Sequence, residues 1–358
     1  MPETAPSSTS LKALFNRRYV AALVISYLFS VITAPLYSLV QVYVESELDR
    51  APVFSGATYA LFRVLGGVTA IPAGALCDTF GIRRMFIVGI SGPLIASTVF
   101  LTGDPLLLGA LFIVLGIAFG FSNTGGGSYL LNAVPASVLG MAAAGYLLGT
   151  TLGIATGNLF AGPIADSMGY QALGAIACVA AVCLLVGSIL FLPDLPRRGE
   201  DARSESGSTV GYLTLLRRRE IRLLLGFRLL PACYWGAASL LLPLLIFRIS
   251  GTNTSATTYT AVSLTVAGAF QVVTGGLCDR IGRWRPILTA TVCITVSAVG
   301  LTLVPNSLVG LYVFGTLAAA SYWSLSAAGP GLLRLGAKEG EEGRGVGVSH
   351  LVWSAGML

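Results

Sequence analysis

Apolar runs almost without charge alternate with short polar interruptions along most of the chain. Residues 19–44, 85–103, 167–193 and 249–278 contain no Asp, Glu, Lys, Arg or His, and 105–165 and 286–333 are charge-free and long enough for two crossings each. About 20 apolar residues cross a bilayer as a helix, whereas strands would need alternating segments of about ten. The pattern predicts a polytopic all-α membrane protein. Spans are expected at 19–44, 53–77, 85–103, then to 131, 136–163 and to 193, followed by 223–247, 256–277, 286–304 and 308–333. Residues 346–358 begin an eleventh span that stops short of a crossing.

Polar positions within the runs are also periodic. Ser26, Ser30, Thr33, Tyr37 and Gln41 recur at helical spacing and predict a stripe on span one that faces protein or water rather than lipid. Pro35 lies in that stripe and predicts a kink. Span five carries Gly145, Gly149, Gly153 and Gly157, a smooth face that lets another helix backbone approach closely. These elements divide the chain into a cytoplasmic tail (1–18), a six-helix bundle (19–193), a polar linker (194–222) and an incomplete second bundle (223–358). Within the linker, 213–222 is expected to form a short interfacial helix.

One motif recurs. Gly74-Ala-Leu-Cys-Asp78-Thr-Phe-Gly81-Ile-Arg83-Arg84 joins spans two and three, and Gly275-Gly-Leu-Cys-Asp279-Arg280-Ile-Gly282-Arg283-Trp-Arg285 joins spans eight and nine. A weaker copy, Gly162-Pro-Ile-Ala-Asp166-Ser-Met-Gly169, follows the first by 88 positions. Repeats of this kind predict two homologous halves, each doubled again. A fourth copy would fall near position 363, past the last residue, so the expectation is a chain shortened at its C-terminus.

A hydrophobic content of 54%, a charged content of 11% and a mean hydropathy of +0.80 leave too little polar surface for a soluble domain. The net charge of +6 does not point to nucleic acid, because 18 of the 22 Lys and Arg residues fall on one side of the predicted topology. That side is expected to be cytoplasmic and to include the N-terminus, with the plasma membrane as the expected location. Arg50, Arg63, Arg228 and Arg248 are the exceptions. The six cysteines have no CxxC spacing and predict packing residues rather than a disulfide or zinc framework.

The paired loops, two six-span halves and basic central linker resemble the major facilitator superfamily, whose signature is Gly-x-Leu-Ala-Asp-Arg/Lys-x-Gly-Arg-Arg/Lys. The second copy matches at Gly275, Leu277, Asp279, Arg280, Gly282 and Arg283. The first matches at Gly74, Leu76, Asp78, Gly81 and Arg83, but has Thr79 and Ile82 where basic residues usually sit. The resemblance implies an alternating-access fold of twelve helices. It implies that Asp78 with Arg83 latches the halves, its helix partner coming from the eleventh span near Gly345, and that Asp279 acts similarly. Arg83, Arg84, Arg283 and Arg285 could instead be topology anchors alone. A drug-antiporter hallmark at the end of span five is matched at three of six fixed positions, around Gly149 and Gly162-Pro163, which leans towards efflux.

In this fold, helices one, four, seven and ten line the cavity. The resemblance therefore makes Ser30, Tyr37, Asn123, Trp235, Tyr322 and Trp323 candidates for substrate contact, with ordinary packing as the alternative for each aromatic. Arg63 sits about mid-bilayer, where a charge costs several kcal/mol, and could bind an anionic group or a partner across the halves. Arg228 is a further candidate, although snorkelling to the nearer face also fits it. No Asp or Glu lies mid-span, which leaves Glu45 at the outer edge and His350, the coupling candidate, as the options for ion coupling.

The reading is a secondary transporter of a small molecule, expected to act as a monomer in a lipid bilayer without cofactor, metal or nucleic acid. Export is one direction; a uniporter or a sugar or organic-anion importer is the alternative, as is an inactive shortened carrier. A membrane enzyme is disfavoured, because the chain has no HExxH, GxxxxGK[ST] or Cys/His cluster.

Overall fold

The computed structural model describes residues 16–135, 138–195, 219–282, 284–336 and 354–357, which form helices and their connections without strands. The chain divides into two compact units, Met1–Pro196 and Arg197–Leu358.

In the first unit, α1 (Arg17–Ser38) starts at an Asn16 cap. The Asn16 side chain accepts from the Tyr19 N–H at 2.9 Å and donates to the Ala133 carbonyl at 2.7 Å, a cap worth about 1 kcal/mol. Pro35 has no N–H to give the Val31 carbonyl. The helix ends soon afterwards, and α2 (Val40–Ser46) completes the first span as a separate piece. Ser26, Ser30, Thr33 and Gln41 are all buried, so the polar stripe faces protein.

Span two is α3 (Pro52–Phe80). Span three is not one helix but α4 (Ile82–Gly89), α5 (Gly92–Thr98) and a 3-10 turn over Val99–Leu101. Pro93 withholds a donor from the Gly89 carbonyl, and a Cβ on Gly89 would collide with the Ser122 backbone. Span four is α6 (Pro105–Ala133), capped by Asp104, which accepts from the Leu106 N–H at 2.8 Å.

Spans five and six form α7 (Leu139–Phe191). Its 53 residues would reach about 80 Å as one rod, against about 30 Å of hydrocarbon, so it crosses twice. The reversal is at Gly169 (φ 83, ψ 168), not at Pro163 where span five was expected to end. Pro163 is accommodated inside the helix, and only glycine supplies the positive φ of the turn.

The glycine stripe of α7 lies against α1. Gly145 meets the Tyr19 hydroxyl, Gly149 meets Leu23, Gly153 meets the Tyr27 carbonyl and Ser30, and Gly157 meets the Val31 carbonyl and Ala34. Tyr19 Oη donates to the Ala142 carbonyl at 3.2 Å and Tyr27 Oη to Thr156 Oγ1 at 3.1 Å. Ser38 Oγ donates to Asn158 Oδ1, and Asn158 is fully buried.

The second unit contains α8 (Arg219–Ser250), α9 (Asn253–Ile281), α10 (Trp284–Leu303) and α11 (Leu308–Gly336). Residues 219–222 of the expected linker are helical and continuous with 223–250; the rest of the expected interfacial helix, 213–218, lies outside the described residues. Ala238, Leu242 and Ile246 of α8 pack with Ala256 and Tyr259 of α9 and Leu311 of α11. Ser263 and Thr316 are joined at 2.9 Å, and Thr274 Oγ1 donates to Ser324 Oγ at 3.0 Å. Residues 354–356 are helical and place Gly356 against Ala232 and the Leu229 carbonyl. Asn253, part of an Asn-Thr-Ser sequon, is buried in the first turn of α9, which argues against a glycan there.

Nine helical segments among the described residues are long and apolar enough to cross a membrane, with 141–191 counted as one.

Gly157→Leu is expected to wedge α1 from α7 and destabilise the first unit by about 1–3 kcal/mol. Gly187, with no atom within 4 Å of a Cβ, is expected to accept Ala within about 0.5 kcal/mol. Thermal unfolding in detergent, followed by circular dichroism, compares the two.

Candidate functional site

In the first unit the polar centre is Arg63, 11 residues into α3, or about 16 Å along its axis. It is 8% exposed. Its Cζ lies 5.0 Å from the Tyr59 ring centroid, 5.4 Å from Phe62, 5.7 Å from Phe119 and 5.8 Å from Tyr37. Nη2 donates to the Tyr59 hydroxyl. Four rings at about 0.5–2 kcal/mol each reach the order of the ~2.5–3.5 kcal/mol insertion cost of a central arginine. The cation therefore has π faces and a phenol among its partners.

Glycines bring these rings together. A Cβ on Gly116 would lie 2.8 Å from the Phe62 carbonyl oxygen, and one on Gly120 would collide with Thr69. With both positions bare, α6 closes on α3 and delivers Phe119 to Arg63. Phe62 and Phe119 then sit with centroids 5.0 Å apart. Tyr37 and Phe119 remain partly exposed, and Asn123 is exposed one turn further along the Phe119 face. Ser30 is placed elsewhere, buried against Gly153 where α1 crosses α7. It packs two helices and does not line the Arg63 cluster.

The second unit has its own aromatic set. Trp235 of α8 stacks on Tyr322 of α11 at 5.2 Å and 11°, and Trp323 meets Tyr322 edge-on at 5.8 Å. Trp323 Nε1 is buried and makes no hydrogen bond among the described residues. Arg228 lies on α8, but its side chain is outside the described set; Arg283, Gly345 and His350 are outside it altogether.

The repeated motif produces one backbone feature three times. Gly81 has φ 96 and ψ 138, Gly169 has φ 83 and ψ 168, and Gly282 has φ 83 and ψ 160. Each is the last glycine of its copy and reverses one span into the next. None has an atom within 4 Å of a Cβ, so the requirement is conformational and not steric. Asp78 and Asp279 fall in the last turns of α3 and α9, with side chains outside the described set. Gly74 and Gly275 are helical, and Arg84 and Arg280 are exposed.

Arg83 has partners beyond those that the resemblance implied. Its Nε donates to the Leu192 carbonyl at 2.7 Å and its Nη2 to the Ile189 carbonyl at 2.6 Å, with Asp194 at 3.5 Å. It therefore caps the end of span six, satisfying carbonyls that have no helical donor and complementing the helix dipole. Tyr129 adds a bond from its hydroxyl to the Pro193 carbonyl at 2.7 Å.

Sequence reasoning passed over Tyr59 and Phe119 as partners of Arg63. A tyrosine four residues before a mid-span arginine was a readable signal for the first. Phe119 carried none, because only the α3–α6 register brings it in.

Residues 5–358 match the family model described as Major Facilitator Superfamily. The chain belongs to that superfamily. The family is one of membrane transporters, and the chain has the helical fold expected of it. Similar solved structures include a bacterial homologue of the human lysosomal transporter Spinster, inward-facing and occupied, with a TM-score of 0.71 at 16% identity over 98% of this chain and 80% of that one. Another is a mutant of the nucleoside transporter NupG, with a TM-score of 0.76 at 14% identity over 96% and 88% of the two chains. At such identities the likeness is one of fold. A sugar transport protein, MST8 of Oryza sativa subsp. japonica, is 31% identical over 160 residues. That match takes in 43% of this superfamily member and 30% of the rice protein.

Two outcomes are expected at the motif loops. Gly81→Ala and Gly282→Ala should each destabilise by about 1–3 kcal/mol despite open surroundings. Gly74→Ala, where the nearest atom to a Cβ is 3.9 Å away, should be tolerated in the same melts. Arg83→Ala should speed amide exchange selectively at residues 189–194, measured by mass spectrometry.

Proposed function

We propose that the chain is a secondary active transporter that moves a small organic solute by alternating access, as a monomer in the plasma membrane with its N-terminus in the cytoplasm. The observation that carries this reading is the mid-depth cluster around Arg63. A charge kept there at an insertion cost marks a functional position, and the partly exposed Tyr37 and Phe119 with Asn123 give a solute somewhere to touch.

The motif loops are the proposed gate, with Asp78 and Asp279 near the reversals at Gly81 and Gly282. Trp235, Tyr322 and Trp323 are the proposed solute contacts of the second unit. The glycine and Gly-Pro positions of span five favour export. A second reading, sugar import, is favoured by the similarity to the rice sugar transport protein.

Reconstitution into proteoliposomes tests the reading with a labelled panel of a hexose, a nucleoside, an aromatic acid and a lipophilic amine. Saturable flux of at least one solute is expected, falling tenfold or more in Asp78→Asn while the protein remains folded. Flux that is unaffected by Asp78→Asn overturns the gate assignment. Flux that never saturates for any solute overturns the carrier reading. Imposed gradients in the two orientations separate export from import.

A further inference from the structure

We propose that the Arg63 box is an oxyanion site, and that the solute is an organic acid whose carboxylate or phosphate ester meets the guanidinium while its apolar body lies against the flanking rings. The inference rests on the carrier reading above and narrows it to a substrate class.

The chemistry follows from the geometry. A guanidinium presents paired N–H donors in a planar fork that matches two oxygens of a carboxylate or phosphate, and it stays charged at every physiological pH. Tyr59, one turn before Arg63 on α3, accepts from Nη2 and fixes how that fork is turned. Tyr37 from α1 and Phe119 from α6 also lie within 6 Å of the cation. Both are partly exposed, unlike Tyr59 and Phe62, which are buried. The box is thus closed along α3 and open where Tyr37 and Phe119 stand. Rings at such an opening suit an apolar or aromatic body and exclude a highly hydrated one. The bundle between its helix ends holds no Asp or Glu to repel an anion: Glu45, Glu47, Asp49, Asp78, Asp104 and Asp166 all lie near span termini. Arg63 is also buried within the unit, which favours a soluble acid over the headgroup of a surrounding lipid.

The test is binding to the full chain in neutral detergent by isothermal titration. Its probes are benzoate, phenyl phosphate and their neutral relative benzamide, with phosphatidylglycerol micelles as a separate arm. Benzoate and phenyl phosphate should bind competitively and at least tenfold more tightly than benzamide. The affinity for benzoate should be constant between pH 6 and 9, because neither the guanidinium nor benzoate titrates there. Arg63→Gln should lose that selectivity while keeping its helical content; Arg63→Lys should retain part of it. Tyr59→Phe keeps the charge and should weaken anion binding several-fold without changing benzamide binding, so the proposal remains testable if Arg63→Gln fails to fold.

Absence of anion selectivity in the wild type overturns the proposal, as does selectivity that survives Arg63→Gln. Displacement of both probes by phosphatidylglycerol at comparable affinity assigns the box to lipid and overturns the soluble-acid form. Flux in vesicles separates this inference from the reading beneath it. Saturable flux of a neutral solute, unchanged in Arg63→Gln, leaves the carrier standing and sinks the anion site. Anion binding intact with no saturable flux of any solute does the reverse.

Discussion

Hydrocarbon offers no hydrogen-bond partner, so every carbonyl that a helix releases inside or at the edge of the bilayer has to be met by another part of the protein. The structure of the first unit can be followed by asking where those carbonyls go. Pro35 releases the Val31 carbonyl, which lies against Gly157, whose Cα–H can approach it. The end of α6 exposes the Ala133 carbonyl, and Asn16 takes it. The end of span six releases the Ile189, Leu192 and Pro193 carbonyls, and Arg83 and Tyr129 take those. Each solution ties one span to another that is distant in sequence, so satisfying the backbone also fixes the bundle.

Those ties demand close approach, and the glycines at the crossings permit it. Gly145 to Gly157 let α1 lie on α7, and Gly116 and Gly120 let α6 lie on α3. The second contact has a consequence for chemistry. It carries Phe119 to a distance from Arg63 at which a ring face offsets part of the cost of a buried cation. The aromatic box thus depends on two residues with no side chain at all. A change at Gly116 would reach the guanidinium through Phe119, without any contact of its own.

The legible parts of the fold were those governed by one-dimensional pattern. The charge-free runs marked the spans because a bilayer imposes length and polarity on each segment separately. The four-residue glycine stripe of span five announced a close helix contact for the same local reason. Which helix would fill it was not readable, since Tyr19, Leu23 and Val31 resemble any apolar face. Breaks were harder. Pro163 suggested a helix end but is absorbed by α7, while Pro93 and Gly89 together interrupt span three. A proline only removes a donor; whether the helix yields depends on what neighbours press against it. Arg63 was legible as a charge at the wrong depth, with Tyr59 one turn before it, but the approach of Tyr37 and Phe119 was not, because other helices contribute them.

The three motif copies separate what the fold requires from what topology requires. Three crossings lie between the loop at Gly81 and the loop at Gly169, so these two reversals stand on opposite faces of the membrane. Both nevertheless end in a glycine at positive φ with an extended ψ. Basic residues stand two and three places after the glycine in the first copy, as Arg83 and Arg84, whereas Gln171 and Ala172 stand there in the third. The same inversion relates two tyrosines. Tyr43, at the end of span one, donates to the Thr102 carbonyl at the end of span three, and Tyr129, at the end of span four, donates to Pro193 at the end of span six. Glycine turn and tyrosine cap recur on both faces because the helix ends of an inverted repeat pose the same backbone problem twice. In the first unit the motif arginines follow the Gly81 reversal and not the one at Gly169, and Arg83 uses that place to cap span six.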